Sequence, residues 1–127
     1  MRRKAKSKPF GQVLREARIA RGHSLRKFAQ MVEISPTYLS LVEQNKTERP
    51  PTADRVKKMA DLLGANSDEW IALAGRVPED IPEIIQEQPC EMSELLRAAR
   101  GLSAEELRKI TEQVKKLKRK KVGNKRR

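Results

Sequence analysis

Cysteine and histidine are almost absent from this sequence, which contains one of each, Cys90 and His23. A lone cysteine excludes a disulfide framework, and neither residue has further ligands at metal-binding spacing. The sequence also lacks a glycine-rich phosphate loop, a catalytic-triad pattern and a pair of carboxylates spaced for acid-base chemistry. We therefore expect no metal, no cofactor and no enzymatic activity.

Long apolar runs are missing as well. No stretch of the sequence approaches the roughly 20 apolar residues that span a bilayer. The basic residues at the N-terminus are not followed by the apolar segment of a signal peptide. Together with the single cysteine, these absences predict a cytoplasmic protein without a membrane partner.

Aromatic residues make up only 3% of the chain and comprise Phe10, Phe28, Tyr38 and Trp70. A core must therefore be built mainly from Leu, Ile, Val, Met and Ala, a set of residues that suits small helical bundles. At 127 residues the chain is long enough for one small domain with appendages, and too short for two full-sized cores.

Positive charge is concentrated at the two ends of the chain. The net charge is +12, and five basic residues precede Phe10 while nine follow Val114. Residues 10–114, in contrast, carry 15 basic and 17 acidic residues. The excess favours a polyanionic partner, because Lys and Arg release condensed counterions from phosphates, but two disordered, solvated tails would give the same composition. The function must therefore be inferred from the pattern inside the chain.

Short helices separated by caps and stops are predicted between Phe10 and Gly75. The first runs from about Phe10 to Arg21 and ends at Gly22, a residue that suits the left-handed position after a helix. Its apolar residues recur at i, i+3, i+4 and i+7, and they are Phe10, Val13, Leu14 and Ala17. The opposite face carries Arg15, Glu16 and Arg18.

Four more helices follow, each introduced by a hydroxyl residue that favours the N-cap position, namely Ser24, Ser35, Thr52 and Ser67. Pro36 then falls at the first helical position, where its missing N–H has no cost. The residues predicted to face the core are Leu25, Phe28, Ala29, Val32, Leu39, Val42, Val56, Met59, Ala60, Leu63, Trp70, Ile71 and Leu73. The pattern predicts an all-α fold with five helices in residues 10–75.

The rest of the chain divides by composition. Residues 1–9 form a basic arm, and residues 76–92 are an acidic, proline-containing segment that we interpret as a linker or a short irregular helix. Two helices are predicted in residues 93–118, where Ser103 and Glu106 have the spacing of a capping box. Residues 119–127 form a basic tail. Because residues 76–114 carry five basic and nine acidic residues, contact of this segment with a polyanion is not expected.

The second and third predicted helices are joined by a tight turn. This arrangement allows the second helix of such a pair to enter the major groove of DNA, which is about 12 Å wide. The helices must cross rigidly, and the small Ala29 permits their close approach. Ile34, Leu39 and Val42 then support the third helix from beneath.

The segment SLRKFAQMVEISPTYLSLVEQNK, residues 24–46, resembles the Xre family of phage-repressor-like helix-turn-helix proteins. The residues that carry the resemblance are the Ser24 cap, the Phe28-Ala29 pair, Ser35, the core positions Leu39 and Val42, and Glu43. The resemblance extends to the five-helix layout of residues 10–75. It implies an all-α, five-helix DNA-binding domain with a C-terminal helical extension. The family usually has glycine in the turn, where Glu33 stands here, so Glu33 is expected to adopt the left-handed conformation at some cost.

Carried over by position, the resemblance implies base contacts from the exposed face of the third helix, at Pro36, Thr37, Ser40 and Leu41. None of these four side chains offers a bidentate contact, so specificity is expected to depend in part on Gln44 and on DNA shape. The phosphate contacts implied by the resemblance are Arg26, Lys27, Ser35, Tyr38, Asn45, Lys46, Thr47 and Arg49. For Tyr38, packing support is an equally good interpretation.

An apolar seam marks the last predicted helix, where Leu107, Ile110, Val114 and Leu117 recur at i, i+3, i+7 and i+10. Such a seam is typical of a coiled coil and favours a homodimer, which would read two half-sites about 34 Å apart. Two alternatives stay open. The seam could pack on the preceding helix through Met92, Leu95, Leu96 and Ala99, or residues 76–118 could bind a second protein.

We therefore predict a sequence-specific, nucleoid-associated transcriptional regulator that binds double-stranded DNA. A repressor that occupies a short palindrome as a homodimer is the favoured form. The alternatives are an antitoxin-type repressor that also binds a protein partner, and an adaptor whose helix-turn-helix fold bridges proteins while its basic tails bind nucleic acid loosely.

Overall fold

A computed structural model describes residues 8–125 of the protein, and this range contains helices and no β-strand. The helices are α1 (Phe10–Ala20), α2 (Leu25–Met31), α3 (Pro36–Glu43), α4 (Ala53–Leu63), α5 (Ser67–Leu73), α6 (Asp80–Glu87), α7 (Pro89–Ala99) and α8 (Ala104–Lys125). The predicted all-α fold class is confirmed. The chain forms two compact units, one ending at Ile84 and the other beginning at Ile85.

Three of the four predicted caps begin their helices. The Ser24 hydroxyl accepts from the Lys27 amide at 3.1 Å, and the Ser35 hydroxyl accepts from the Tyr38 amide at 3.0 Å. Thr52 caps α4 in the same way, through the Arg55 amide at 3.2 Å. Each bond satisfies an amide that has no partner within the helix, so these sequence positions determine where α2, α3 and α4 start.

The predicted cap of α5 is wrong by one residue. Asn66 has the extended backbone of a cap, and its side-chain oxygen accepts from the Glu69 amide at 2.8 Å, while Ser67 is the first helical residue. Asn and Ser are about equally good caps, so composition alone did not separate the two neighbours. The prediction for Leu73 is wrong too, because this side chain is 38% exposed. It lies two residues after the buried Ile71 and therefore about 200° around the helix axis.

The core of the first unit is aliphatic with an aromatic pair at one side. Leu14, Phe28, Leu39 and Met59 are fully buried at its centre. The Phe10 and Trp70 rings meet edge to face with their centroids 5.9 Å apart, and this contact joins the start of α1 to α5. The predicted inward faces of α1 to α4 thus pack together in one core. The inner side of α3 is held in this core by Leu39 and Val42.

Arg18 is not on a solvent-facing surface of α1, as the sequence predicted, but is buried in the first unit. Its guanidinium forms a two-bond ion pair with Glu43 at the end of α3, from Nε to Oε2 at 2.6 Å and from Nη2 to Oε1 at 2.9 Å. A charged side chain is seldom buried without a partner, and here the partner comes from a distant helix. The local helical pattern therefore placed this residue on the wrong side.

The second unit is more exposed than the first. Ser103 and Glu106 form the predicted capping box, with the Glu106 amide donating to Ser103 Oγ at 3.1 Å and the Ser103 amide donating to Glu106 Oε1 at 2.9 Å. Helix α8 continues to Lys125, beyond the predicted end at residue 118, so residues 119–125 are helical. The predicted linker segment 76–92 contains α6 and the start of α7, which begins at Pro89 and not at the predicted residue 93. Within the described range, no helix combines the length and apolar character needed to cross a membrane.

Candidate nucleic-acid interface

The turn between α2 and α3 is closed by backbone and side-chain hydrogen bonds. Glu33 has φ of 61°, which confirms its predicted left-handed conformation at the position where glycine is usual. The Ile34 amide then donates to the Ala29 carbonyl at 3.0 Å. Arg55 of α4 adds a bond from Nη1 to the Val32 carbonyl at 2.7 Å, so α4 holds the end of α2. These bonds fix the crossing of α2 and α3.

The C-terminal end of α3 is attached to α1 by the buried Arg18–Glu43 pair. A third bond runs from Arg18 Nη1 to the His23 carbonyl at 2.8 Å. Because charged hydrogen bonds in a two-bond fork have a defined geometry, the pair sets both the distance and the rotation of α3 relative to α1. This role of Arg18 was not predicted from the sequence. The available signal in the sequence was Glu43. This carboxylate lies four residues after Leu39 and therefore on the same, inward side of α3.

Gly11 provides a second attachment between α1 and α3, which was not predicted from the sequence. A Cβ atom at this position would lie 2.2 Å from the Val42 carbonyl oxygen and 2.7 Å from that of Glu43, so α1 and α3 approach each other closely here. The Gly11 amide also donates to Asn45 Oδ1 at 3.0 Å, and Asn45 has φ of 59°. A glycine inside a helical pattern often marks such a close contact, and this was the available signal.

The predicted base-contact residues lie together on the outer surface of α3. Pro36, Thr37, Leu41 and Gln44 are exposed, and Ser40 is half-buried. Gln44 Nε2 donates to Ser40 Oγ at 2.8 Å. This bond leaves the second Nε2 hydrogen, Gln44 Oε1 and the Ser40 hydroxyl proton for other partners. A glutamine amide with a free donor and acceptor matches the N7 and N6 groups of adenine.

The predicted phosphate contacts divide into two groups. Arg26, Lys27, Lys46 and Arg49 are exposed cationic side chains at the start of α2 and in the loop after α3. The others already take part in bonds within the protein. Ser35 Oγ accepts from the Tyr38 amide but retains its own proton, and Asn45 Oδ1 accepts from Gly11.

Tyr38 and Thr47 donate their hydroxyl protons to the same acceptor. Tyr38 Oη lies 2.6 Å from the Arg49 carbonyl oxygen, and Thr47 Oγ1 lies 3.1 Å from it. A phosphate oxygen accepts hydrogen bonds and donates none, so neither hydroxyl has a proton for phosphate in this arrangement. For Tyr38 the geometry favours the packing interpretation over the phosphate contact.

Comparison with known proteins finds relatives that are similar to the part of the chain containing α1 to α5. A family model described as Helix-turn-helix matches residues 14–70. A protein of Bacillus subtilis (strain 168), the uncharacterized HTH-type transcriptional regulator RghRB, is 37% identical over 78 residues, which cover 59% of this chain and 55% of that protein. The chain thus spans about half the length of this curated relative.

Two solved structures are also similar. SinR, described as the master regulator for biofilm formation and solved in complex with DNA, is 24% identical, with a TM-score of 0.44 over 49% of this chain and 97% of that one. An HTH_3 family transcriptional regulator from Vibrio cholerae is 24% identical, with a TM-score of 0.42 over 62% of this chain and 39% of that one. Over residues 14–70, which are less than half of the chain, the protein is similar to the Xre-like helix-turn-helix family.

Proposed function

We propose that the protein is a DNA-binding transcriptional regulator that places α3 in the major groove. The observation that carries this proposal is the combination of an exposed face on α3, which includes the polar residues Thr37 and Gln44, with a rigid attachment beneath it. The Arg18–Glu43 pair and the Gly11 contact fix α3 against α1, while Thr37, Leu41 and Gln44 project from the other side. A helix that reads base edges needs this rigidity, because a rotation of α3 would move every contact at once.

The family match supports the same proposal, since the matched relative is named as a transcriptional regulator. In the proposed complex, the face formed by Pro36, Thr37, Ser40, Leu41 and Gln44 contacts base edges. Arg26, Lys27, Lys46 and Arg49 contact the flanking phosphates and set the register on the duplex. Neither the family nor the sequence supports an enzymatic role.

The proposed base contacts predict a change of preferred sequence on mutation. In selection from random duplex DNA, the 127-residue chain is expected to enrich one short site. Thr37→Ala and Ser40→Ala are each expected to relax or change the preference at one or two positions, because a lost base contact costs about 1–3 kcal/mol of discrimination. Ser40→Ala also releases the Gln44 amide, so its effect is expected to extend to the base that Gln44 contacts.

Thr111→Ala is the matched control, because Thr111 is an exposed threonine of α8 whose hydroxyl donates to the Leu107 carbonyl. This variant is expected to select the wild-type site. If the wild-type protein enriches no site, the regulator proposal fails and the protein-bridging adaptor becomes the better interpretation. If Thr37→Ala and Ser40→Ala both retain the wild-type preference, the proposed base contacts of Thr37 and Ser40 are wrong.

We further propose that the protein acts as a repressor that binds a palindrome as a homodimer joined through α8. Leu107, Val114 and Leu117 are 42%, 46% and 67% exposed, and Ile110 is half-buried. In the alternative in which the seam packs on α7, Met92 and Ala99 of α7 are half-buried, but Leu95 and Leu96 are 50% and 55% exposed, so α7 covers at most part of the seam. A second copy of α8 would cover the seam in the manner of a coiled coil.

This dimer predicts that one charge in the seam separates the subunits. Val114→Glu is expected to convert a dimer to a monomer in analytical ultracentrifugation, because pairing would bury the new carboxylate. Its affinity for a two-half-site duplex is expected to fall about a hundredfold, since each subunit then binds alone. Gln113→Glu adds the same charge at an exposed position beside the seam and is expected to remain dimeric. A wild-type protein that sediments as a monomer contradicts the dimer, and its co-purification with a small protein would favour the antitoxin-type alternative.

A further inference from the structure

The α3–α4 loop, defined as residues 45–51, is held by a residue that follows α5. Gly75 has φ of 77° and turns the chain so that the Arg76 amide donates to the Ile71 carbonyl at 3.0 Å. The Arg76 guanidinium then reaches the loop. Its Nε donates to the Pro51 carbonyl at 3.0 Å, and its Nη2 donates to the Pro50 carbonyl at 2.7 Å. Two successive carbonyls of the loop are thus bonded to one side chain.

The sequence of the α3–α4 loop explains why an external donor is needed. Pro50 and Pro51 have no backbone N–H, so this part of the loop cannot hold itself by donating backbone hydrogen bonds. Only its carbonyls are available. The Arg49 carbonyl is bonded by the Tyr38 and Thr47 hydroxyls, and the next two carbonyls are bonded by Arg76. Side chains therefore hold three successive carbonyls of the loop.

The α3–α4 loop carries Lys46 and Arg49, two of the exposed cations assigned above to DNA phosphates. Cations on a mobile loop must be ordered when DNA binds, and this ordering weakens the affinity, whereas a loop fixed beforehand avoids that cost. Arginine suits the task because its planar fork donates to two acceptors at once, while lysine offers a single point charge.

We propose that Arg76 is a positioning residue for DNA binding, which fixes the α3–α4 loop so that Lys46 and Arg49 face the phosphate backbone. This inference rests on the proposed function. Arg76 lies outside the family match of residues 14–70 and outside the domain predicted from the sequence, residues 10–75. The functional DNA-binding unit therefore extends through Arg76.

Hydrogen exchange and DNA binding of the 127-residue chain test this role together. In Arg76→Ala, the amides of Thr47, Glu48 and Arg49 are expected to exchange at least about threefold faster than in the wild type, because the loop opens more often. Affinity for the selected duplex is expected to fall about three- to tenfold. The slope of log affinity against log salt is expected to become shallower by up to about 1, as one phosphate contact is lost.

Two matched variants separate positioning from charge. Arg76→Lys retains the charge but not the fork, so it is expected to keep the faster loop exchange and to recover only part of the affinity. Arg97→Ala removes the same charge from an exposed site on α7 and is expected to leave loop exchange at the wild-type rate.

Three results would overturn the proposal. They are unchanged loop exchange in Arg76→Ala, full wild-type behaviour of Arg76→Lys, and a uniform rise of exchange throughout α1–α5 with a lower Tm, which would make Arg76 a residue of general stability. A wild-type protein that selects no DNA overturns the proposed function instead, and the exchange comparison still decides whether Arg76 holds the loop.

Discussion

Glu43→Ala is expected to lower the free energy of unfolding of the first unit by about 3–5 kcal/mol, because the substitution leaves the Arg18 guanidinium buried without a counter-charge. The two side chains are 9% and 4% exposed, so water cannot replace the lost carboxylate without opening the structure. Small domains are stable by only about 5–15 kcal/mol, and this loss would bring the unit close to its unfolding threshold. Urea denaturation followed by circular dichroism measures the change.

The matched control is Asp61→Ala, which removes a carboxylate from an exposed pair on α4. Lys57 and Asp61 lie 3.1 Å apart, and their side chains are 58% and 57% exposed. Loss of such an i,i+4 surface pair costs only about 0.3–0.5 kcal/mol. If Glu43→Ala costs no more than Asp61→Ala, the buried pair does not hold α3 in solution.

A double variant separates two free energies. One is the destabilisation caused by leaving Arg18 buried without a partner, and the other is the net contribution of the Arg18–Glu43 pair to stability. Arg18→Met combined with Glu43→Leu removes both charges and fills their space with apolar atoms. The double variant is expected to be more stable than Glu43→Ala, since a buried pair contributes little net stability after desolvation. It is also expected to bind DNA more weakly than the wild type, because the fork that fixes the rotation of α3 is gone. This outcome would show that the pair serves orientation more than stability.

The starting points of α2, α3 and α4 were predictable from the sequence because their determinants are local. Ser24, Ser35 and Thr52 each bond to an amide three residues ahead, and such a contact is visible in any short window of sequence. The exposed face of α3 followed from the same helical period. The end of α8 was misplaced for a different reason. A run of Lys and Arg resembles a solvated tail, yet both residues are good helix formers, so they continue the helix.

The contacts that orient the site were not predictable because they join distant parts of the chain. Arg18 and Glu43 are 25 residues apart, Gly11 and Asn45 are 34 apart, and Arg76 and Pro50 are 26 apart. Each depends on how whole helices pack, and a helical pattern shows only which side of one helix is apolar. Tyr38 is an example. Its interpretations as packing support and as a phosphate contact differ only in whether its hydroxyl bonds to the Arg49 carbonyl, 11 residues later.

Gly11→Ala is expected to destabilise the first unit by about 3 kcal/mol, although alanine favours helices over glycine by about 1 kcal/mol. The reason is steric. The new Cβ would meet the carbonyl oxygens of Val42 and Glu43 at 2.2 and 2.7 Å, and backbone atoms cannot move aside as a flexible side chain can. Separation of α1 from α3 would also lengthen the bond from the Gly11 amide to Asn45. Chemical denaturation of the 127-residue chain measures the loss.

Gly123→Ala is the matched control, because its new Cβ would have no atom within 4 Å on the exposed surface of α8. It is expected to be neutral or slightly stabilising, as helix propensity alone predicts. A loss of stability in Gly11→Ala without a loss in Gly123→Ala separates the effect of helix packing from that of helix propensity. Gly11→Ala is also expected to weaken DNA binding at temperatures where the variant remains folded, since the displaced α3 carries the proposed base contacts. Wild-type stability in Gly11→Ala would show that α1 and α3 do not approach closely, and the rigid support of the reading helix would then have to come from the Arg18–Glu43 pair alone.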